Sequence, residues 1–152
     1  MKLAEALILR ADNQKRVEQL KQRLLRNAKV QEGDKPSEDP EALIDEFERL
    51  LTNLTALIQH INQTNSATML EPGLTLSDAL AIRDILRLKH TAYADLAQAA
   101  AVTQGRLTHS EVKFKSAVNV AGIQARADAL AGDHRELDSK IQAVNWQTDL
   151  LE

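Results

Sequence analysis

The chain has 152 residues, a net charge of −3, no cysteine and 3% aromatic residues, which suits one domain able to bury roughly two thirds of its unfolded surface. Without thiols there are no disulfides, thiolate metal sites or cysteine nucleophiles. So few rings argue against an aromatic sandwich core or a base-stacking platform, and the charge gives no overall attraction to nucleic acid or anionic membrane.

Residues 2–30 contain neither Gly nor Pro and are predicted to form one long helix. Its apolar stripe is Leu3, Ala6, Leu7, Val17, Leu20, Leu24 and Ala28, interrupted by Arg10, Asn13 and Gln14. The apolar start carries Glu5 and runs into Asp12 without a small-residue cleavage site. It therefore does not read as a secretory leader, and a cytoplasmic location is expected. The helix is expected to end near Gly33. Asp39-Pro40 then restarts a helix over about 40–66, with Asp as N-cap and Pro at the first helical position. Its stripe of Phe47, Leu50, Leu54, Leu57 and Ile61 alternates three and four residues, the a/d spacing of coiled coils, and turns polar at Thr64 and Thr68.

Pro72-Gly73 is the sequence of a type II turn, so a small hairpin is expected over about 68–75. Thr75-Leu76-Ser77-Asp78 then reads as a variant capping box opening a third helix over about 76–104. The seam of that helix is Leu76, Ala79, Arg83, Leu86, His90, Tyr93, Ala97 and Ala100. Around 111–119, Val112, Phe114 and Val118 alternate with charged residues, which predicts a strand that must pair with the hairpin or with another copy. A fourth helix follows over about 121–144, with the seam Ile123, Ala127, Leu130, His134, Leu137, Ile141 and Val144. The expected fold is mainly all-α: one bundle of four long helices with a small β element. No apolar run approaches the roughly 20 residues of a membrane span.

Residues 1–30 hold eight Lys/Arg against three acids, and residues 31–65 hold eight acids against two bases. A basic surface for nucleic acid is one reading of the first helix. Antiparallel pairing with the acidic second helix is favoured, because the opposite charge is close in sequence and base-stacking rings are scarce.

No His-Glu-x-x-His pair, glycine-rich phosphate loop or nucleophile elbow is present, so an enzyme is the least supported class. His109 with Glu111, and His134 with Asp133, Glu136 and Asp138, have the residue types of metal ligands. They are better explained as an exposed strand edge and a satisfied seam histidine, so neither metal nor cofactor is expected. The stronger cluster is Arg10, Asn13, Asn62, Asn65, Arg83 and His90: polar side chains on or near apolar seams. Burying them unpaired would cost several kcal/mol. They should meet each other in a register-setting network or subunit seam, or line a polar pocket between helices suited to a small anion.

Taken together, Met1-Lys2-Leu3-Ala4-Glu5-Ala6-Leu7, Leu24-Leu25-Arg26-Asn27-Ala28-Lys29-Val30-Gln31-Glu32-Gly33, Ile61-Asn62-Gln63-Thr64-Asn65, Leu74-Thr75-Leu76-Ser77-Asp78-Ala79-Leu80 and the ending Asn145-Trp146-Gln147-Thr148-Asp149-Leu150-Leu151-Glu152 resemble the septicolysin-like family. These are small bacterial proteins of undetermined function, and the resemblance spans essentially the whole chain. It implies a mostly helical cytoplasmic homo-oligomer, with a hexamer as the expected assembly, and carries no catalytic residues. The pore-forming activity suggested by the family's name fits poorly with a chain that lacks an aromatic membrane-anchoring loop and the length of a large β toxin. The expected function is a self-assembling structural or interaction module; the alternative is a protein binding a small anion or a metal between its helices.

Overall fold

The computed structural model describes residues 1–102 and 112–152. Its elements in chain order are α1 (Leu3–Arg26), α2 (Pro40–Ala67), β1 (Met69–Glu71), β2 (Leu74–Thr75), α3 (Leu76–Ala100) and α4 (Val120–Gln147). The protein is mainly α, as the heptad patterns require. Two compact units divide the chain: Met1–Thr75 with Gln142–Glu152, and Leu76–Ile141. The long α4 starts in the second unit and ends in the first.

In the first unit, α1 and α2 form an antiparallel hairpin. Leu20, Leu43 and Leu50 make its buried cluster, with Val17, Leu24 and Phe47 packed against it. Each Leu side chain taken from water is worth roughly 1.5–3 kcal/mol. Asp39 caps α2 as expected: its carboxylate accepts from Glu41 N at 3.1 Å, and Pro40 takes the first helical position. Every residue of the α2 stripe is buried or half-buried, through Thr64 and Thr68. α1 ends at Arg26, several residues before the expected end near residue 30. The stop is Asn27. Its side-chain amide donates to Arg23 O at 2.8 Å, and its Oδ1 accepts from Glu38 N at 3.1 Å. A short polar side chain that bonds local backbone competes with helix continuation, so Asn27 ends α1 before Gly33 is reached.

The expected hairpin is present: β1 and β2 pair antiparallel, Met69 with Thr75 and Glu71 with Leu74. Gly73 at φ +81 takes the left-handed conformation that the Pro-Gly turn needs and that only glycine adopts without cost.

The second unit contains α3 and most of α4. All the seam positions read for α3 and α4 are buried or half-buried, Arg83, His90 and His134 included. α3 ends at Ala100, short of the expected 104. The strand expected over 111–119 is not formed at residues 112–119, which carry no strand; Glu111 lies outside the described residues. Local side-chain bonds take the backbone there instead. Ser116 Oγ donates to Val118 O at 2.6 Å and accepts from Val118 N at 3.2 Å. Asn119 then caps α4, its Oδ1 accepting from Gly122 N at 3.1 Å. Gly122 makes room for this cap: a Cβ there would stand 3.3 Å from Asn119 Cγ. A period-two pattern without a partner strand loses to a helix cap that supplies its own hydrogen bonds.

Candidate functional site

The polar seam residues divide between the two units. In the first unit, Asn13 is buried, Arg10 and Asn65 are half-buried, and Asn62 is exposed. Asn62 was expected in the polar cluster; it lies one position past buried Ile61 and so faces water. Asn13 belongs to a column that the structure makes plain: Ala6, Asn13, Leu20 and Asn27 stand seven apart, and each is at most 8% exposed. An Asn on such a column is the residue type that sets helix register at a cost in stability.

The end of α2 organises the chain termini. Thr64 is fully buried. Its hydroxyl donates to His60 O at 2.8 Å and accepts from Leu151 N at 3.0 Å. Lys2 and Asp149 form an antiparallel bridge, with Leu3 N donating to Thr148 O and Leu150 N to Met1 O, both at 2.9 Å. Lys2 Nζ also sits 2.8 Å from Asp149 Oδ1 and donates to Gln147 O at 3.2 Å. The two ends are thus clasped to each other and to α2. The polar turn of the α2 seam at Thr64 was visible in the sequence; its partner, 87 residues away, was not.

The charge asymmetry of the first two helices is used in part. Arg23 makes a forked pair with Glu38, Nε to Oε2 at 3.1 Å and Nη2 to Oε1. That hydrogen bond is the main reason the Glu38 carboxyl is held below, and the Arg23 guanidinium above, its ordinary range. Asp149 is lowered chiefly by its hydrogen bond with Lys2. The expected charge match was between the basic first helix and the acidic second helix; the ion pair seen joins Arg23 of α1 to Glu38 in the loop that leads into α2.

In the second unit, Arg83 finds a partner that its sequence neighbours did not reveal. Its Nη1 donates to Asp138 Oδ1 on α4 at 2.9 Å, while the adjacent Asp84 is 3.8 Å away. Arg83 retains 21% side-chain exposure. Among the described residues, the buried side-chain nitrogens without a hydrogen-bond partner are Arg83 Nε and His134 Nε2. His134 and Asp138 are four apart on α4 and so share a face. His90 is half-buried on the α3 seam. The available signal was Arg83 on the α3 seam; Asp138 lies one position past the α4 seam residue Leu137, and the helix pairing that joins the two was not legible.

Among the described residues no group of three or more His, Cys, Asp and Glu is placed to hold a metal ion. His109 lies outside the described residues, as does Glu111. A groove of about 460 Å³ runs between the end of α3 and residues 114–118, lined by Leu96, Ala99 and Phe114 among others. No described helix is long and apolar enough to cross a membrane.

These features define a small, mainly α-helical protein with polar side chains on its buried helix seams. The chain belongs to a family of unknown function (DUF6847), whose profile matches residues 10–150. It is similar to a solved structure described as a functionally unknown conserved protein from Corynebacterium diphtheriae, at 45% identity over 99% of each chain and a TM-score of 0.95. No curated protein matches it significantly.

Proposed function

We propose that the protein is a self-assembling helical interaction module. The observation that carries this reading is the outer surface of α3, where Ile82 (45%), Ile85 (52%) and Leu88 (67%) are exposed within two turns. A lone exposed Leu needs no explanation, whereas a run of large apolar side chains on one helix marks a binding surface. The septicolysin-like resemblance points the same way, toward a cytoplasmic homo-oligomer of six chains. A closed hexamer with two-fold axes contains isologous pairs. Size-exclusion chromatography with light scattering, over a concentration series through the micromolar range, tests the reading. Mass above one chain is expected, and a monomer throughout overturns it.

A second reading, binding of a small anion, is favoured by Arg83 Nε and His134 Nε2, two buried nitrogens without a hydrogen-bond partner. An anion accepting from the guanidinium would stabilise the fold by about 2.7 kcal/mol at a hundred times its dissociation constant. Thermal-shift measurements with phosphate, sulfate and small carboxylates test this. Stabilisation present in the wild type and lost in Arg83→Met supports it; no stabilisation by any of them rejects it.

A further inference from the structure

α3 carries two heptad registers. One is the buried seam through Arg83 and His90. The other runs through Asp78, Ile82, Ile85, Lys89, Ala92 and Leu96, spaced four, three, four, three and four apart, and all six are exposed. Spacing of this kind is the seam of a helix that packs against another helix. Two charges lie on it, Asp78 near the helix start and Lys89 eleven residues on.

Those charges select the partner and its direction. Parallel pairing in register would set Lys89 against Lys89 and Asp78 against Asp78, like charges across a partly desolvated seam. Antiparallel pairing about a two-fold sets a positions against d positions. Lys89 and Asp78 are centred on the same point of the helix as Ile82 and Ile85, between Arg83 and Asp84. One two-fold axis at that point therefore places Lys89 against Asp78 and Ile82 against Ile85, each twice, and leaves Ala92 and Leu96 beyond the start of the partner's α3. The surface is complementary to itself, as an isologous interface must be. A single charged residue at an a position is a known device for setting register and partner.

We propose that α3 pairs antiparallel with α3 of a second copy of this chain, with Lys89 opposite the partner's Asp78 and four isoleucines between the two ion pairs. This rests on the self-assembly reading and names the surface and register it uses.

The absence of native cysteine makes the register directly measurable. Chains carrying Ile82→Cys and chains carrying Ile85→Cys are mixed and mildly oxidised. In the proposed register residues 82 and 85 face each other. Equal positions are offset by about 4.5 Å along the axis, which takes them beyond ordinary disulfide reach. The 82–85 heterodimer should therefore exceed either homodimer several-fold. Both sites are about half exposed, and circular dichroism checks that each variant folds. Lys89→Asp should weaken association at least severalfold, and adding Asp78→Lys in the same chain should restore it. An oligomeric wild type without the 82–85 excess overturns this pairing and leaves self-assembly standing. A wild type that is monomeric throughout overturns both.

Discussion

The outer surfaces of α1 and α3 differ in how their exposed apolar side chains are grouped. Both helices have a buried heptad face, Leu3, Ala6 and Leu20 on α1 and Leu76, Ala79 and Ala97 on α3. The rest of α1 is mainly polar or charged, including Lys15, Arg16 and Glu18, with exposed Ile8 and Leu9 near its start and Leu25 near its end, and the first unit adds a forked ion pair and a clasp of both chain ends. On α3 the exposed apolar side chains Ile82, Ile85 and Leu88 stand three residues apart on one side of the helix, among the charges of Asp84, Arg87 and Lys89. Length and helix propensity are similar in the two. What differs is the grouping of the exposed apolar side chains, which are split between the two ends of α1 and contiguous in the middle of α3.

The largest expected effect tests the buried side of this contrast. Leu20 is 2% exposed in the α1–α2 cluster, whereas Leu88 is 67% exposed. Leu20→Ala should cost roughly 2–5 kcal/mol, a cavity being left that the helices fill only partly. Leu88→Ala should stay within about 0.5 kcal/mol in the monomeric chain, because only assembly would cover Leu88. Urea melts of the two variants, in the dilute range where the chain is monomeric, read the difference, and equal costs would mean that Leu88 is packed within its own chain.

Polar pairs give smaller effects. Thr64→Val keeps the shape but leaves Leu151 N without its acceptor, and should cost roughly 1–2 kcal/mol. Its signature is local: amide exchange at residues 148–151 should speed up while that of the second unit is unchanged. Asp138→Ala removes the carboxylate from Arg83 and should cost about 1–2 kcal/mol, after allowance for the partial exposure of both side chains. Arg83→Met/Asp138→Leu should cost less than the sum of the two single changes. Additive costs would show that the 2.9 Å bond is not held in solution.

The smallest effect is electrostatic and confined to the first unit. Glu38 and Asp149 have carboxyls lowered in the fold by Arg23 and Lys2. Their contribution is therefore complete above the ordinary carboxylate range and is lost as pH falls through the lowered folded values. Both groups are solvent-exposed enough that the loss is modest. Acid titration followed by NMR should loosen the terminal bridge and the α1–α2 loop first, and Glu38→Gln with Asp149→Asn should flatten that pH dependence.

Heptad spacing alone determines much of this fold. It placed all four helices, and the seams of α2, α3 and α4 are buried or half-buried at every position read from the sequence. The Asp39-Pro40 start and the Pro-Gly hairpin also follow from local chemistry, because a cap and a turn are decided within a few residues. The errors fell where two local signals competed. Asn27 stopped α1 before Gly33 could, and Ser116 with Asn119 turned an alternating segment into the entry of α4. Periodicity says which face is apolar and is silent about hydrogen bonds that side chains offer the backbone.

The polar seam residues mark the boundary of what sequence alone decides. That Asn13, Arg83 and His134 would lie on buried or half-buried faces follows from their spacing. That Arg83 meets Asp138, and that Thr64 holds the far end of the chain through Leu151, depends on which helix ends come together in space. Spacing along one helix is set by its own 3.6-residue turn. The partner across a seam is set by the packing of several elements at once, and only the tertiary structure contains that information.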